Sequence, residues 1–268
     1  MKKQKLFIGL FIAALTFTSC SDDEGVDFQP VTPVTPDTPS GAYENGILLT
    51  NEGGFGNGNA TVSYISDDYN TVNNGLYYFH NNEALGDTAQ NIGIDGELAY
   101  IVVNASNKIE VVNRYTFESI TTIDTGLVNP RYIAFSNGKG YVTNWGDVSD
   151  PNDDFIAVIN LENNTVTQSI AVSNGPERIL AHNNSVYISR GYLSNVGSNI
   201  TIINSLDDTK STLEIGLQPD TMILDTSNNI WIQCKGDQWG SPEIGGKLVK
   251  INTESNTVDT SFEFPTEG

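Results

Sequence analysis

Residues with the chemistry for catalysis or metal binding are few in this sequence, and their spacing argues against both. The 268 residues hold two histidines, His80 in "YYFHNN" and His182 in "LAHNNS", and two cysteines, Cys20 and Cys234. Neither histidine stands in a metal-ligand spacing, and H-E-x-x-H, C-x-x-C and G-x-S-x-G patterns are missing from the sequence. His80 reads as a strand-end residue and His182 as a hairpin-turn residue, both exposed. "DPNDDF", Asp150 to Phe155, alternates oxygen ligands as a calcium loop does. It lacks the central glycine, and Leu161 stands where the bidentate glutamate belongs, so a solvated acidic loop is the simpler reading. "NEGGFGNGNATVSY", residues 51–64, has the glycines of a phosphate cradle. Such a cradle needs a helix N-terminus behind it, and here an alternating, strand-like run follows with no Lys-Ser/Thr pair. No catalytic residue, metal ligand or cofactor is expected.

A set of aromatic and basic residues remains. Phe55, Trp145, Tyr192 and Trp239 lie in glycine-rich loops, and Arg131, Arg178, Arg190 and Lys235 stand at neighbouring strand ends. Trp145, Tyr192 and Trp239 are successively 47 residues apart. Aromatics beside fixed charges suit a planar or amphiphilic ligand. The alternative is that each aromatic packs its own loop down.

An internal repeat is what could bring these residues together. "AQNIGIDGELAYIVVN", "PRYIAFSNGKGYVTNW", "PERILAHNNSVYISRG" and "PDTMILDTSNNIWIQCK" each read as a strand, a turn rich in Asn, Gly or Asp, and a second strand with an aromatic. Those aromatics, Tyr100, Tyr141, Tyr187 and Trp231, are spaced by 41, 46 and 44 residues. A third strand follows in each unit ("KIEVVN", "FIAVIN", "ITIIN", "KLVKIN"), then a fourth such as "TVTQSIAV". Four short strands per repeat of this length mark a β-propeller of four-stranded antiparallel blades. "LLTNEGG" aligns with "YVTNWGD", so "NEGGFGNGNA" becomes the loop between the second and third strands of a first blade. Its counterparts carry Trp145, Tyr192 and Trp239. In a propeller all such loops share one face with the starts of the first strands, which gathers the aromatic and basic set there. The register starts the first blade at its second strand. The next closing strand would begin where the sequence stops, so residues 41–268 are expected to form about five blades of an incomplete propeller, an N-terminal fragment of a larger ring.

Composition restricts the partners. The formal charge is −20, from 13 Lys+Arg and 33 Asp+Glu. Phosphate backbones need clustered cations, so nucleic acid is not an expected partner. "MKKQKLFIGLFIAALTFTSC" joins three lysines to an apolar run too short to span a bilayer, which is an export signal over residues 1–20. Its end resembles the lipobox of bacterial lipoproteins, with Phe17 in place of the usual leucine, and implies a lipidated Cys20. Removing the signal's three lysines would take the charge to −23. Residues 21–40 then read as a tether. "SDDE" resembles the surface-export signal of Bacteroidota lipoproteins, and the repeated Thr-Pro is stiff and extended. With Cys20 lipidated, Cys234 is the one free thiol.

"ILLTNEGGFGNGNATVSYIS" is similar to the opening signature of the YncE-like propeller lipoproteins of Bacteroidota, and the similarity runs over residues 41–268. It implies a seven-bladed ring, a lipid anchor in the outer membrane and a place on the cell surface. One branch of that group captures vitamin B12 and passes it to an outer-membrane transporter, so the resemblance implies capture of a ligand. A cobamide handed to a TonB-dependent transporter is one expectation. An adhesion or scaffold module that binds protein or glycan through the same face is the other, and a propeller enzyme is the weakest of the three.

Overall fold

The structure is a computed structural model that describes residues 41–150, 152–172, 175–190, 197–237, 240 and 242–265. It is all-β and built of successive antiparallel sheets. The first contains β1 (Gly46–Asn51), β2 (Thr61–Ser66) and β3 (Val72–Asn73), and is followed by the helix α1 (Leu76–Asn81). The second contains β4 (Ala89–Asp95), β5 (Leu98–Val103), β6 (Lys108–Asn113) and β7 (Ser119–Ile123). The third contains β8 (Pro130–Ser136), β9 (Lys139–Asn144), β10 (Phe155–Asn160) and β11 (Thr165–Ala171). The fourth contains β12 (Pro176–His182), β13 (Ser185–Arg190), β14 (Asn199–Asn204) and β15 (Lys210–Glu214). The fifth contains β16 (Pro219–Leu224), β17 (Asn229–Cys234), β18 (Lys247–Asn252) and β19 (Thr257–Glu263). Strands pair in chain order within each sheet, as in propeller blades.

Local chemistry explains these elements. The β8–β9 hairpin turns on Asn137 and Gly138, both at positive φ, the geometry that matches strand twist. The second and third strands of the middle blades are buried on both faces, which is why they read as unbroken apolar runs. Among the described residues, four hydrophobic cores result, each shared by two consecutive blades. Val103 and Val112 of the second blade, for example, pack with Val62 and Tyr64 of the first. The innermost strands β4, β8, β12 and β16 touch one another in succession, so their starts line the axis.

One contact repeats around the periphery. Tyr100, Tyr141 and Tyr187 are fully buried at the same position of the second strand. Each hydroxyl donates to a side chain in the following blade: Tyr100 to Asn164 (2.8 Å), Tyr141 to Asp208 (2.7 Å) and Tyr187 to Asn256. All three acceptors sit at positive φ in the turn between the third and fourth strands, a conformation Asn and Asp tolerate. The tyrosines thus explain the spacing of the repeat, because each pins its blade to the next.

The histidines depart from the sequence reading. His80 lies in α1 rather than at a strand end, half-buried and hydrogen-bonded to the Tyr43 hydroxyl at 2.8 Å. His182 is the last residue of β12 rather than a turn residue, and its Nε2 is buried. A helix of six residues carries too weak a periodicity to register in a sequence.

Candidate functional site

The starts of the innermost strands and the loops between second and third strands meet on one face. The Trp145 amide donates to the Asn129 carbonyl ahead of β8, and the Lys235 amide donates to the Gln218 carbonyl ahead of β16. Each innermost strand begins with an interrupted ladder: the register shifts between Ala89 and Asn91, Pro130 and Ile133, Pro176 and Ile179, and Pro219 and Met222. Three of the four begin with proline, which has no amide donor for the ladder. Bulges of this kind re-aim side chains away from the pleat. Here they release Gln90, Arg131, Glu177 and Asp220, with Tyr132 and Arg178 one position later.

These side chains form a polar rim that crosses blade boundaries. Gln90 donates through Nε2 to the Tyr132 hydroxyl at 3.2 Å, and the Arg178 guanidinium donates to the same hydroxyl while lying over the Tyr132 ring, 4.4 Å from its centre. Burial holds the Tyr132 phenol above its ordinary pKa, and the Glu177 carboxylate adds to the effect. Arg131 grips Glu177 through two parallel bonds of 3.0 and 2.9 Å and lies 3.9 Å over the Trp145 indole. Lys235 Nζ reaches Asp220 at 2.6 Å. Arg178 Nε stands 3.7 Å from the other Asp220 oxygen, close enough for attraction and too far for a hydrogen bond.

Two features set this rim apart. Among the described residues, the buried side-chain atoms without a hydrogen-bond partner are Gln90 Oε1, Trp145 Nε1, Arg178 Nε, His182 Nε2 and Ser189 Oγ, and the first three belong to the rim. Each such atom costs roughly 1–3 kcal/mol in desolvation, so a cluster of them calls for a reason. The second feature is a layering of charge. The acids lie underneath, with Glu177 11% and Asp220 18% exposed in their side chains, and two of the bases lie outside, with Arg178 42% and Lys235 50% exposed.

The expected site residues fall into separate groups. Arg131, Trp145, Arg178 and Lys235 converge on the rim, but Arg131 is tied to Glu177 and Trp145 is half-buried beneath it. Arg190 turns into its own blade, where its guanidinium bonds Asn199, and burial lowers its pKa. Phe55 is 84% exposed at the tip of the β1–β2 loop. That loop is tied by Gly54 N to Asn59 Oδ1 (2.9 Å) and Gly56 N to Asp87 Oδ2 (2.7 Å), so Phe55 does not pack its loop down. Gly53, Gly146 and Gly236 occupy equivalent positions just beyond the second strands at φ of 76°, 59° and 77°, which only glycine adopts freely. Tyr192, Trp239 and Cys20 lie outside the described residues. The carboxylates expected of a calcium loop are engaged locally, Asp153 by the Asp147 amide and Asp150 by Asn152. A cavity of about 200 Å³ lies beside the first blade's loop, lined by Ala60, Tyr77, Tyr78 and Leu85 among others. It is smaller than ordinary ligand pockets of roughly 300–1,000 Å³.

Sequence reasoning missed Gln90, Tyr132, Glu177 and Asp220. A signal was present, since each lies in the first three positions of an innermost strand, one repeat from its partner.

The family model described as "Domain of unknown function (DUF5074)" matches residues 45–266. The chain belongs to the DUF5074 family. No curated protein matches this DUF5074 chain in sequence. Among solved structures it is similar to Kuenenia stuttgartiensis hydrazine synthase at 14% identity and a TM-score of 0.62, over 89% of this chain and 69% of that one. It is similar to the Neurospora crassa Pan2 WD40 domain at 11% identity and 0.56, over 87% and 69%. It also resembles the dihydro-heme d1 dehydrogenase NirN at 13% identity and 0.56, over 86% of this chain and 47% of that one. At such identities these likenesses establish the propeller-type fold alone, and the neighbours include enzymes and a WD40 domain alike.

Proposed function

We propose that this DUF5074 protein is a lipid-anchored lipoprotein of the outer-membrane surface whose propeller face captures a small ligand, rather than a catalyst. A cobamide handed to a TonB-dependent outer-membrane transporter is the leading candidate. The observation that carries the reading is the clustering of three partnerless buried polar atoms with half-exposed cations at the axial rim. Polar groups left unpaired where four blades meet are the mark of a site organised for something outside the chain. Trp145, held against the Arg131 guanidinium, supplies an aromatic plane on the same rim as the exposed Arg178 and Lys235 cations, which suits a planar amphiphilic ligand.

A second reading has its own support. Phe55, Tyr78 and Phe79 are 84%, 61% and 77% exposed in the first blade, and exposed aromatics are common in surfaces that bind protein or glycan. One experiment separates the readings. The protein is titrated with cyanocobalamin and with a panel of surface glycans, comparing wild type with Trp145→Ala, Arg178→Gln and Phe55→Ala. Capture at the rim requires Trp145→Ala and Arg178→Gln to weaken cobalamin binding by about 2 kcal/mol, roughly thirtyfold. Glycan binding lost only in Phe55→Ala favours the adhesion reading, and rim variants that bind as tightly as wild type refute capture at the rim.

A further inference from the structure

We infer that the ligand of this face presents a compact oxyanion, a phosphate or a carboxylate, and that Arg178 and Lys235 receive it where the fourth and fifth blades meet. The inference rests on the ligand-capture reading above and narrows its chemistry. The rim's charges are Arg131, Arg178 and Lys235 against Glu177 and Asp220, a surplus of one positive charge in a chain of net charge −20. That surplus sits in one place. Arg131 and Glu177 neutralise each other through two bonds and are both nearly covered, whereas Asp220 alone faces two cations. Lys235 takes one Asp220 oxygen at 2.6 Å, and Arg178 is left 3.7 Å from the other, with Nε making no hydrogen bond.

Exposure decides which charge a ligand meets. The Asp220 carboxylate lies under the two cations at 18% exposure, and they stand out at 42% and 50%. An approaching group therefore encounters ammonium and guanidinium donors before it encounters the carboxylate. Arg178 is also held from below, its guanidinium resting on the Tyr132 ring and donating to the Tyr132 hydroxyl. A guanidinium fixed in plane on an aromatic ring and 42% exposed as a side chain suits charge-assisted donation to an oxyanion, and Lys235 supplies a point charge beside it. Elsewhere on so acidic a chain an anion would be repelled, so the local surplus also selects the docking place.

The test uses the whole chain and simple anions. The protein is titrated with sodium phosphate and, separately, with sodium acetate, at ionic strength held constant with sodium chloride. Arginine Nε–H correlations are followed by NMR, the Arg178 signal being identified by its loss in Arg178→Lys. The expected result is a saturable shift of the Arg178 signal with at least one anion. Lys235→Gln should weaken it tenfold or more, and Asp220→Asn should tighten it by removing the competing carboxylate. Tighter phosphate than acetate identifies a phosphate ester as the ligand group, and the reverse a carboxylate. No saturable shift with either anion overturns the inference, as does Lys235→Gln binding like wild type or Asp220→Asn binding more weakly. Both of those side chains are charged and at the surface or next to it, so these variants keep the test decisive if Arg178→Lys does not fold. Anion binding at Arg178 without any cobalamin or glycan binding leaves the oxyanion site standing and removes those ligands. Cobalamin binding with no anion effect at Arg178 removes the oxyanion site alone.

Discussion

Replacing Tyr141 with phenylalanine tests whether the repeated tyrosines hold consecutive blades together. The ring is fully buried and its volume is kept, so the change removes one hydroxyl and its bond to Asp208 at 2.7 Å. The acceptor is a carboxylate, and hydrogen bonds to charged groups contribute about 1.5–3 kcal/mol net. Asp208 keeps Lys139 at 2.7 Å, so it is not left without a partner, and the loss should fall near 2 kcal/mol. For a chain of this size that is a fall in Tm of about 4–8 °C. Tyr100→Phe and Tyr187→Phe break the equivalent bonds to the neutral Asn164 and Asn256. Those should cost less, about 1 kcal/mol each. Urea denaturation with an unchanged m-value is the assay, and a double-mutant cycle with Asp208→Ala isolates the pair, with an expected coupling of about 1–2 kcal/mol. Three variants within about 0.5 kcal/mol of wild type would refute the idea that these hydroxyls join the blades, and so would Tyr141→Phe proving the mildest of the three.

Four further outcomes are expected. Burial holds the Tyr100, Tyr141 and Tyr187 phenols above their ordinary pKa of 10.0, Tyr100 at about 12. Above pH 10 the unfolded chain releases phenolic protons that the folded chain keeps, so stability is complete below pH 10 and is lost as pH rises through 12; phenolate absorbance should rise together with unfolding, not before it. The Cys234 thiol is buried and pushed up to about 11, so a disulfide reagent should label it at neutral pH only as fast as the chain opens. Arg131→Ala leaves the covered Glu177 carboxylate without its two bonds and should cost about 3 kcal/mol in urea denaturation, whereas Arg131→Met with Glu177→Leu should recover most of it. Cys20→Ser should abolish incorporation of a palmitate analogue in labelled cells, and surface protease should reach the wild-type protein on intact cells; incorporation that persists in the variant rejects Cys20 as the lipidated residue.

The fold was legible because its period is written in residues that meet the same demand in successive blades. Tyr100, Tyr141 and Tyr187 must each fill the same gap against the next blade, and the asparagine-rich turns must supply positive φ. The site was legible only in part. Arg131 and Arg178 read as free cations because their acidic partners lie a whole repeat away, Glu177 46 residues from Arg131. Alternation also fails at these positions, since the bulges at the strand starts break the period of two on which facing is judged. Phe55 was legible as an exposed aromatic because glycines surround it. Arg190 was not, since nothing in "ISRG" distinguishes a side chain turned toward Asn199 from one turned to the face.

The repeat itself separates what builds the ring from what acts on it. At the peripheral position of the second strand the second, third and fourth blades all carry Tyr, because each meets the same packing demand against the next blade there; the fifth carries Trp231, which bonds Asp225 of its own blade instead. At the second position of the innermost strand the same four blades carry Gln90, Arg131, Glu177 and Asp220. No common structural demand would select an amide, a guanidinium and two carboxylates for equivalent sites. Packing tolerates all four, and their contacts differ in kind: an amide to a phenol and a bidentate ion pair across blades, and a carboxylate paired with a lysine of its own blade with an arginine of the preceding blade nearby. Among the described residues, three of the five buried polar atoms left without a partner belong to the rim, whereas the Tyr100, Tyr141 and Tyr187 hydroxyls are all satisfied. An asymmetric, partly unsatisfied rim on a repeating scaffold matches what an asymmetric ligand requires. The scaffold's symmetry places the side chains, and their divergence from repeat to repeat gives the face its chemistry.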